Sequence, residues 1–425
     1  MITIENKGSE IELFGRNETG SYTTTIKDFK PYFYYEHKDG THKSINGTKL
    51  KKLTLNHPKD VKQTRTNYKH HEADVIYTNR YIIDHPGEIA KEPIRICYFD
   101  IETANTEKGF EEPILANNPI ISICWYDNFD KGYEQFWVND NWTEKLMLEE
   151  FIQYIKHSDP DMLVAWNGDG FDFPLLINRM KKLGINPNLM GRGGEVSAYE
   201  KKGRTYSKCY GRILFDLMSA YKKHFSMGGR ESWSLDYISK YELKKGKEEY
   251  KGGLDDLFKN DIKKFMKYNL RDVELLVELD KKLGIIDFFD EIRRLAFCKF
   301  EDVFMNSKTA DCLCLRWAKK HNVVLPSAQQ HPKESYEGGY VKASEPKLHK
   351  NIAVMDLKSL YPSIMIAFSV SPENLMEKEN KREGCGKEFK SPLPKEKWDK
   401  CGDILDGELL LCPKCKKEAR HPSQP

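Results

Sequence analysis

No apolar run in this 425-residue chain approaches the length of a membrane span. The opening residues, MITIENKGSE, have neither the apolar core of a secretory signal nor the character of a transit peptide. These absences lead to the expectation of a cytoplasmic protein without a membrane partner. A dominant charge is also missing: 68 Lys and Arg stand against 65 Asp and Glu, a net charge of +3. Any nucleic-acid site must therefore be a local patch and not a property of the whole surface. Nor do the ten cysteines form a disulfide framework. Cys97, Cys124, Cys209, Cys298, Cys312 and Cys314 are scattered, several of them inside apolar runs, and are expected to be reduced core residues. The other four, Cys385, Cys401, Cys412 and Cys415, crowd the C-terminal stretch.

What is present is a charged globular composition, 39% apolar and 31% charged, in a chain long enough for roughly two to four domains. Its organising stretch is Ile94–Thr103, IRICYFDIET. Ile94, Ile96, Cys97, Tyr98 and Phe99 are apolar and only Arg95 interrupts them, so the run predicts a buried central strand. Asp100 and Glu102 then stand two apart and share one face of that strand. Two like charges beside a core repel unless a cation lies between them, and hard oxygen ligands suit Mg2+ or Mn2+. The plainer alternative is a pair of carboxylates at a solvated strand end.

Residues 1–92 read as a β-rich unit, with alternating runs at Ile2–Ile4, Glu10–Phe14, Tyr22–Ile26 and Tyr32–Tyr35 between Gly and Asn turns. Aromatic residues and lysines interleave there, a pattern that suits either base stacking with phosphate contact or the half-buried strands of an ordinary barrel. Beyond the organising strand, Ile120–Tyr126, Glu134–Val138 and Met162–Trp166 read as strands, and Thr143 as the N-cap of a helix to about His157. The sequence Asn167-Gly-Asp-Gly-Phe-Asp-Phe-Pro174 opens a further helix to Leu183 and sets Asp172 near its first turn, where capping is the structural alternative. Residues 193–253 are polar and basic, a solvated loop face or a backbone-tracking surface, interrupted by one strand, Arg212–Leu217, that carries Asp216. Leu254–Leu283 predicts one long amphipathic helix ending at Gly284, with Tyr268 and Asp272 four apart on one face. Residues 285–332 look helical. Asn351–Met355 predicts a second buried strand that delivers Asp356 to its end.

Asp100, Glu102, Asp172 and Asp272 are together about what a pair of divalent cations requires for in-line phosphoryl displacement, and the Tyr268 hydroxyl could orient the attacking water. At this point the chain resembles the family B DNA polymerases, most of all the archaeal ones. FDIET (Phe99–Thr103), NGDGFDFP (Asn167–Pro174) and YNLRD (Tyr268–Asp272) resemble the three motifs of their 3′–5′ proofreading exonuclease. GRILFD (Gly211–Asp216) resembles a core strand of the same domain, YEGGYV (Tyr336–Val341) the linker coupling the two activities, and DLKSLYPSI (Asp356–Ile364) polymerase motif A.

The resemblance implies an α/β and α+β multidomain protein: a β-rich N-terminal domain (1–92), a ribonuclease H-like exonuclease domain (93–284), a helical return (285–332) and a partial polymerase palm (333–425). It implies that Asp100, Glu102, Asp172 and Asp272 hold the exonuclease metals and Tyr268 the water, and that Asp356 binds the polymerase-site Mg2+ ions with the Leu357 carbonyl. Leu357, Ser359 and Leu360 would face the triphosphate, and Tyr361 would exclude a ribose 2′-OH. Tyr336, Gly338, Gly339, Asn167 and Phe171 would contact DNA, and Pro31 with Tyr32 resembles part of a template-uracil pocket. The implied ligands are two Mg2+ or Mn2+ per active site, a primer-template with its single-stranded 3′ end, deoxynucleoside triphosphates and a sliding clamp.

The chain departs from the family in having no fingers helix, no second palm carboxylate and no thumb. It is therefore expected not to extend a primer unaided, and to need either a second chain carrying those parts or a region missing from it. A stand-alone exonuclease and an inactive DNA-binding subunit are the rival readings. Cys385, Cys401, Cys412 and Cys415 are expected to bind a structural Zn2+, the CxxC pair being the stronger half.

Overall fold

A computed structural model describes residues 1–104, 112–226, 229–250, 252–328, 347–357 and 359–370, with three short strands between 404 and 419. Met1–Pro332 forms one body and Lys333–Pro425 another.

The first body begins with a three-stranded antiparallel meander, Thr3–Lys7, Glu10–Asn17 and Gly20–Ile26. Gly8 takes a φ of +70° in the first turn, a left-handed conformation glycine adopts without steric cost. A second sheet has the order Val323–Val324, His42–Ser44, Lys49–Thr54, Tyr32–Glu36, His70–His71, so a strand late in the sequence pairs with one near its beginning. Of the two readings of the interleaved aromatic residues, strands packed into a sheet describe most of them: Tyr32, Phe33 and Tyr34 are buried. Lys52 sits over the Tyr32 ring, 3.5 Å from its centroid, and is a packing partner there.

The central sheet is mixed, with the order Tyr133–Trp137, Ile120–Asp127, Ile96–Thr103, Met162–Ala165, Ile213–Asp216. The first three strands are antiparallel; Met162–Ala165 runs parallel to the strands on either side of it. The organising strand lies at the sheet's centre and is covered on both faces. Cys97, Phe99 and Ile101 pack under the helices Glu144–Ser158 and Asp172–Lys182 with Met147, Phe151 and Phe173. Tyr98 points the other way, into a cluster with Val164, Phe215, Val273 and Leu276. Asp100 and Glu102 share that second face by the period of two. Thr143 caps its helix as expected, its hydroxyl accepting from the Leu146 N–H.

The structure differs from the sequence reading at several places. The basic stretch read as a loop contains a β-hairpin, Val196–Lys201 with Arg204–Cys209. Its inner face carries Val196, Ala198 and Cys209 and its outer face the exposed, stacked Tyr199 and Tyr206, so apolar residues on both faces blur the alternation. The long helical segment is two helices, Leu254–Asn260 and Ile262–Leu283, because Asp261 leaves helical geometry and caps the second through the Lys264 N–H. Cys314 is exposed, unlike the five other described cysteines, which are buried.

In the second body, residues 352–357 carry no regular secondary structure, so the strand expected at Asn351–Met355 is not formed. A strand needs a neighbour for its ladder, and none pairs with it among the described residues. The helix Leu360–Ala367 follows. The Tyr336–Val341 segment and the four C-terminal cysteines lie outside the described residues.

Candidate active site

Two neighbouring elements bring the expected acids together. The central strand presents Asp100 and Glu102, and the helix Ile262–Leu283 packs against that face with Asp272 turned inward. Its stripe of Phe265, Asn269, Asp272 and Leu276 keeps helical spacing, so the polar residues ride on the buried face. Carboxylate oxygens of Asp100, Glu102 and Asp272 all lie within 4.8 Å of one another. Asp172 is the first residue of the helix Asp172–Lys182 and is buried. It is not one of that trio, but it is close enough to Asp100 for that carboxylate to disfavour its ionisation.

The loop before Asp172 is tight. Asn167 has a φ of +64°, and its N–H donates to Asp216, which also caps the next helix. A Cβ on Gly168 would come within 2.5 Å of the Phe173 ring, and one on Gly170 within 2.6 Å of Asn167 Oδ1. Gly168 is thus required by close approach to the buried Phe173 ring, which fixes where the helix and Asp172 begin. Asp216 has a structural task here.

The electrostatics of the cluster ask for cations. Burial, then the neighbouring Asp272, pushes the Asp100 carboxyl up to about 7. Burial, then Asp100, holds both Glu102 and Asp172 well above the carboxylate range. Burial also raises Asp272, although Lys247 opposes it. Asp272 Oδ1 is a buried acceptor with no hydrogen-bond partner. Carboxylates this close and this desolvated either take up protons or bind metal, and an all-oxygen donor set with an orphaned acceptor suits hard divalent cations.

Four further side chains at the cluster were missed in the sequence. Lys247 Nζ lies 2.5 Å from Asp272 Oδ2 and 3.1 Å from the Tyr268 hydroxyl. Burial works to lower that ammonium's pKa, but Asp272 and Asp100 outweigh it and hold it above its ordinary value. Tyr250 packs edge-on against Tyr268. Asn269 donates to Asp100 Oδ2 at 3.3 Å and accepts from Ser122 at 2.6 Å. The one local signal for Asn269 is that it is a polar residue on an apolar helical stripe; Lys247 lies in a polar run with no period to place it.

Of the remaining expected residues, Phe171 is half-buried at the N-cap position ahead of Asp172, beside the half-buried Asn167. Pro31 and Tyr32 line a cavity of 380 Å³ with Arg65, Glu72, Thr78 and Arg80. Asp356, Leu357, Ser359, Leu360 and Tyr361 all belong to the second body. Ser359, with a φ of +52°, precedes the helix that contains Leu360 and Tyr361. Tyr336, Gly338, Gly339, Cys385, Cys401, Cys412 and Cys415 lie outside the described residues.

Two family models match the chain: the exonuclease domain of DNA polymerase family B over residues 132–238, and DNA polymerase family B over residues 304–399. The first match contains Asp172 but stops short of the other three acids. The chain is 29% identical over 331 residues to the DNA-directed DNA polymerase of Escherichia phage RB69, covering 66% of this chain and 36% of that protein. It is 31% identical over 363 residues to the DNA polymerase of Thermococcus gorgonarius, covering 79% and 45%. A DNA polymerase of Pyrococcus horikoshii is 31% identical over 367 residues, covering 79% and 28%. The chain thus spans less than half the length of these curated relatives.

Proposed function

We propose that this chain, which belongs to the family B DNA polymerases, works through its first body as a 3′–5′ exonuclease that removes nucleotides from a DNA end. The observation that carries this reading is the convergence of Asp100, Glu102 and Asp272 within 4.8 Å, with Asp172 beside Asp100. These four acids would hold two divalent cations, Mg2+ or Mn2+. When bound, such a pair supplies a hydroxide-like nucleophile and charge stabilisation for the leaving oxygen.

The protein's own groups do the rest. The Tyr268 hydroxyl, held by Lys247, is placed to orient the attacking water. Lys247 also compensates Asp272 while the site is without metal. Phe171 and Asn167, at the mouth of the Asp172 loop, would steady the terminal nucleotides by stacking and hydrogen bonding. Attack by water on the terminal phosphodiester breaks the bond to the 3′ oxygen of the preceding sugar and releases a nucleoside 5′-monophosphate.

The second body would contribute to DNA synthesis. Asp356 would supply one carboxylate of a Mg2+ site, Leu357–Leu360 would face a deoxynucleoside triphosphate, and Tyr361 would wall off a ribose 2′-OH. A two-metal polymerase site needs at least one acid more, so we assign its completion to further polypeptide carrying fingers, remaining palm and thumb. The exposed apolar run Val354, Met355, Leu357, Tyr361, Ile366 and Phe368 supports such a covering partner. Cys385, Cys401, Cys412 and Cys415 would bind one structural Zn2+, and the Pro31–Tyr32 cavity would test template bases for uracil. No helix among the described residues is long and apolar enough to cross a membrane; we place the enzyme's work in the cytoplasm, on primer-template DNA held with a sliding clamp.

The direct test is a time course on 3′-labelled single-stranded DNA with Mg2+ and with EDTA. Metal-dependent appearance of labelled nucleoside monophosphate is the expected result. Internal cleavage, or no product, would remove the exonuclease reading. Primer extension with and without the remaining polymerase parts tests the synthesis reading.

A further inference from the structure

We propose that Asn269 is a positioning residue for Asp100, and that Ser122 completes it by holding the Asn269 amide in the orientation that turns its N–H toward that carboxylate. The proposal rests on the metal-dependent exonuclease reading above. The connection runs across three elements: Ser122 on the strand Ile120–Asp127, Asn269 on the helix Ile262–Leu283, and Asp100 on the central strand. Ser122 Oγ donates to Asn269 Oδ1 at 2.6 Å, and Asn269 Nδ2 donates to Asp100 Oδ2 at 3.3 Å. Ser122 and Asn269 are both 0% exposed, so water does not compete for the bond between them, while the bond to Asp100 is part-buried.

The orientation of the amide decides its effect. With Nδ2 toward Asp100, a proton lies between donor and carboxylate. Reversed, the amide oxygen would face a carboxylate oxygen with no proton between them, a repulsive pair. The Ser122 hydroxyl is the partner of Asn269 Oδ1, and without it that oxygen becomes a buried, unsatisfied acceptor. The result is a carboxylate with one oxygen anchored and its rotamer fixed, leaving the other oxygen to a cation. The amide adds no charge to a site that already gathers four acids. Ser122 pairs with Glu102 across the strands, so the same hydroxyl-bearing residue also borders the second carboxylate's backbone.

Groups that orient a metal's ligands without touching the metal change its affinity by about ten- to a hundredfold when removed. The test is Mn2+ binding by isothermal titration calorimetry on the metal-free full chain, with Asp100→Ala/Glu102→Ala as the blank. The Mn2+ concentration giving half-maximal nucleotide release is followed in parallel. Asn269→Ala is expected to weaken Mn2+ binding about tenfold or more, and Ser122→Ala, which removes only a hydroxyl, about threefold or more. The release rate at saturating Mn2+ should change far less than the affinity, a split that a general loss of fold would not produce. Mn2+ affinity equal to wild type in Ser122→Ala and Asn269→Ala would overturn the proposal. If Asn269→Ala does not fold, Ser122→Ala decides alone. Equal Mn2+ binding by wild type and by the blank would instead mean that the four-acid site itself is not a metal site.

Discussion

Lys247 reaches Asp272 from a loop ahead of the helix that carries the aspartate, and its ammonium lies 2.5 Å from the Asp272 carboxylate. Asp272 is almost wholly buried, while the Lys247 side chain is 27% exposed. The pair is therefore lopsided: the acid depends on the cation more than the cation on the acid. Removing one partner of a buried pair leaves an uncompensated charge. Lys247→Met should destabilise the metal-free protein by about 1–3 kcal/mol, below the range for a fully enclosed pair because Lys247 reaches solvent. Mn2+ should narrow that gap by compensating the same carboxylate. Thermal unfolding in EDTA and in Mn2+ checks both halves; equal melting temperatures for variant and wild type in EDTA would rule out the counter-ion role.

Asp100 and Glu102 offer a second prediction because they stand on one strand and share its face. Asp100→Ala with Glu102→Ala removes two of the three carboxylates gathered within 4.8 Å. Mg2+-dependent release of mononucleotides from a 3′ end should disappear. The fold should survive and gain stability in the absence of metal, since two carboxylates disfavoured by burial and by neighbouring acids are gone. Nuclease assay and thermal melting of the same preparation decide it. Unchanged release would refute the assignment, and a lower melting temperature in EDTA would refute the electrostatic account.

How much of this was legible in the sequence depended on whether a residue's task followed a period. The central strand was readable because its apolar run is bounded by acids two apart, and the sheet around it because each strand or helix kept its own spacing. Asp100, Glu102 and Asp272 came from that pattern together with the family resemblance. The hairpin at Val196–Cys209 was not readable, because Val196, Ala198 and Cys209 on one face and Tyr199 and Tyr206 on the other leave no clean apolar alternation. Asp261 broke a helix that apolar spacing alone would carry through, since capping is a matter of one side chain and one backbone angle. Lys247, Ser122 and Asn269 escaped for a related reason: each acts through a tertiary contact, and a hydrogen bond between residues 147 positions apart leaves no local mark.

The third prediction concerns Asp356, which belongs to the second body while the acid cluster lies within the first. Asp356→Ala should leave mononucleotide release at the wild-type rate, because the four acids proposed to hold the exonuclease metals all belong to the first body. Any primer extension reconstituted with the further polypeptide proposed to complete the polymerase site should be lost. Side-by-side nuclease and extension assays separate the two. Digestion that stopped with Asp356→Ala would show that one site serves both reactions.

The fourth prediction is a pH dependence at the junction between the opening meander and the central sheet. Arg16 donates to Asp161 at 2.6 Å, Arg192 pairs with both Asp159 and Asp161, and Arg212 pairs with Asp159 at 2.7 Å. Burial works against ionisation of Asp159, but Arg192 and Arg212 more than offset it and hold the carboxyl at about 2. The folded value is thus depressed below that of an unfolded aspartate, about 3.9. The sign follows: folding releases this proton, so the contribution is fully present above about pH 4 and is lost as pH falls toward 2. For a fully enclosed carboxylate such a depression would be worth roughly 2–3 kcal/mol at neutral pH. Asp159 is partly open to solvent, and screening there reduces the contribution to about 1 kcal/mol. Asp159→Asn should therefore cost stability at pH 7 and progressively less between pH 5 and 3, the two stability curves converging toward the acid end. Urea unfolding of both proteins across that range measures the difference directly. A difference that stayed constant from pH 7 to pH 3 would mean that the carboxylate's charge contributes nothing there, and that the aspartate serves the junction only through its shape and neutral hydrogen bonds.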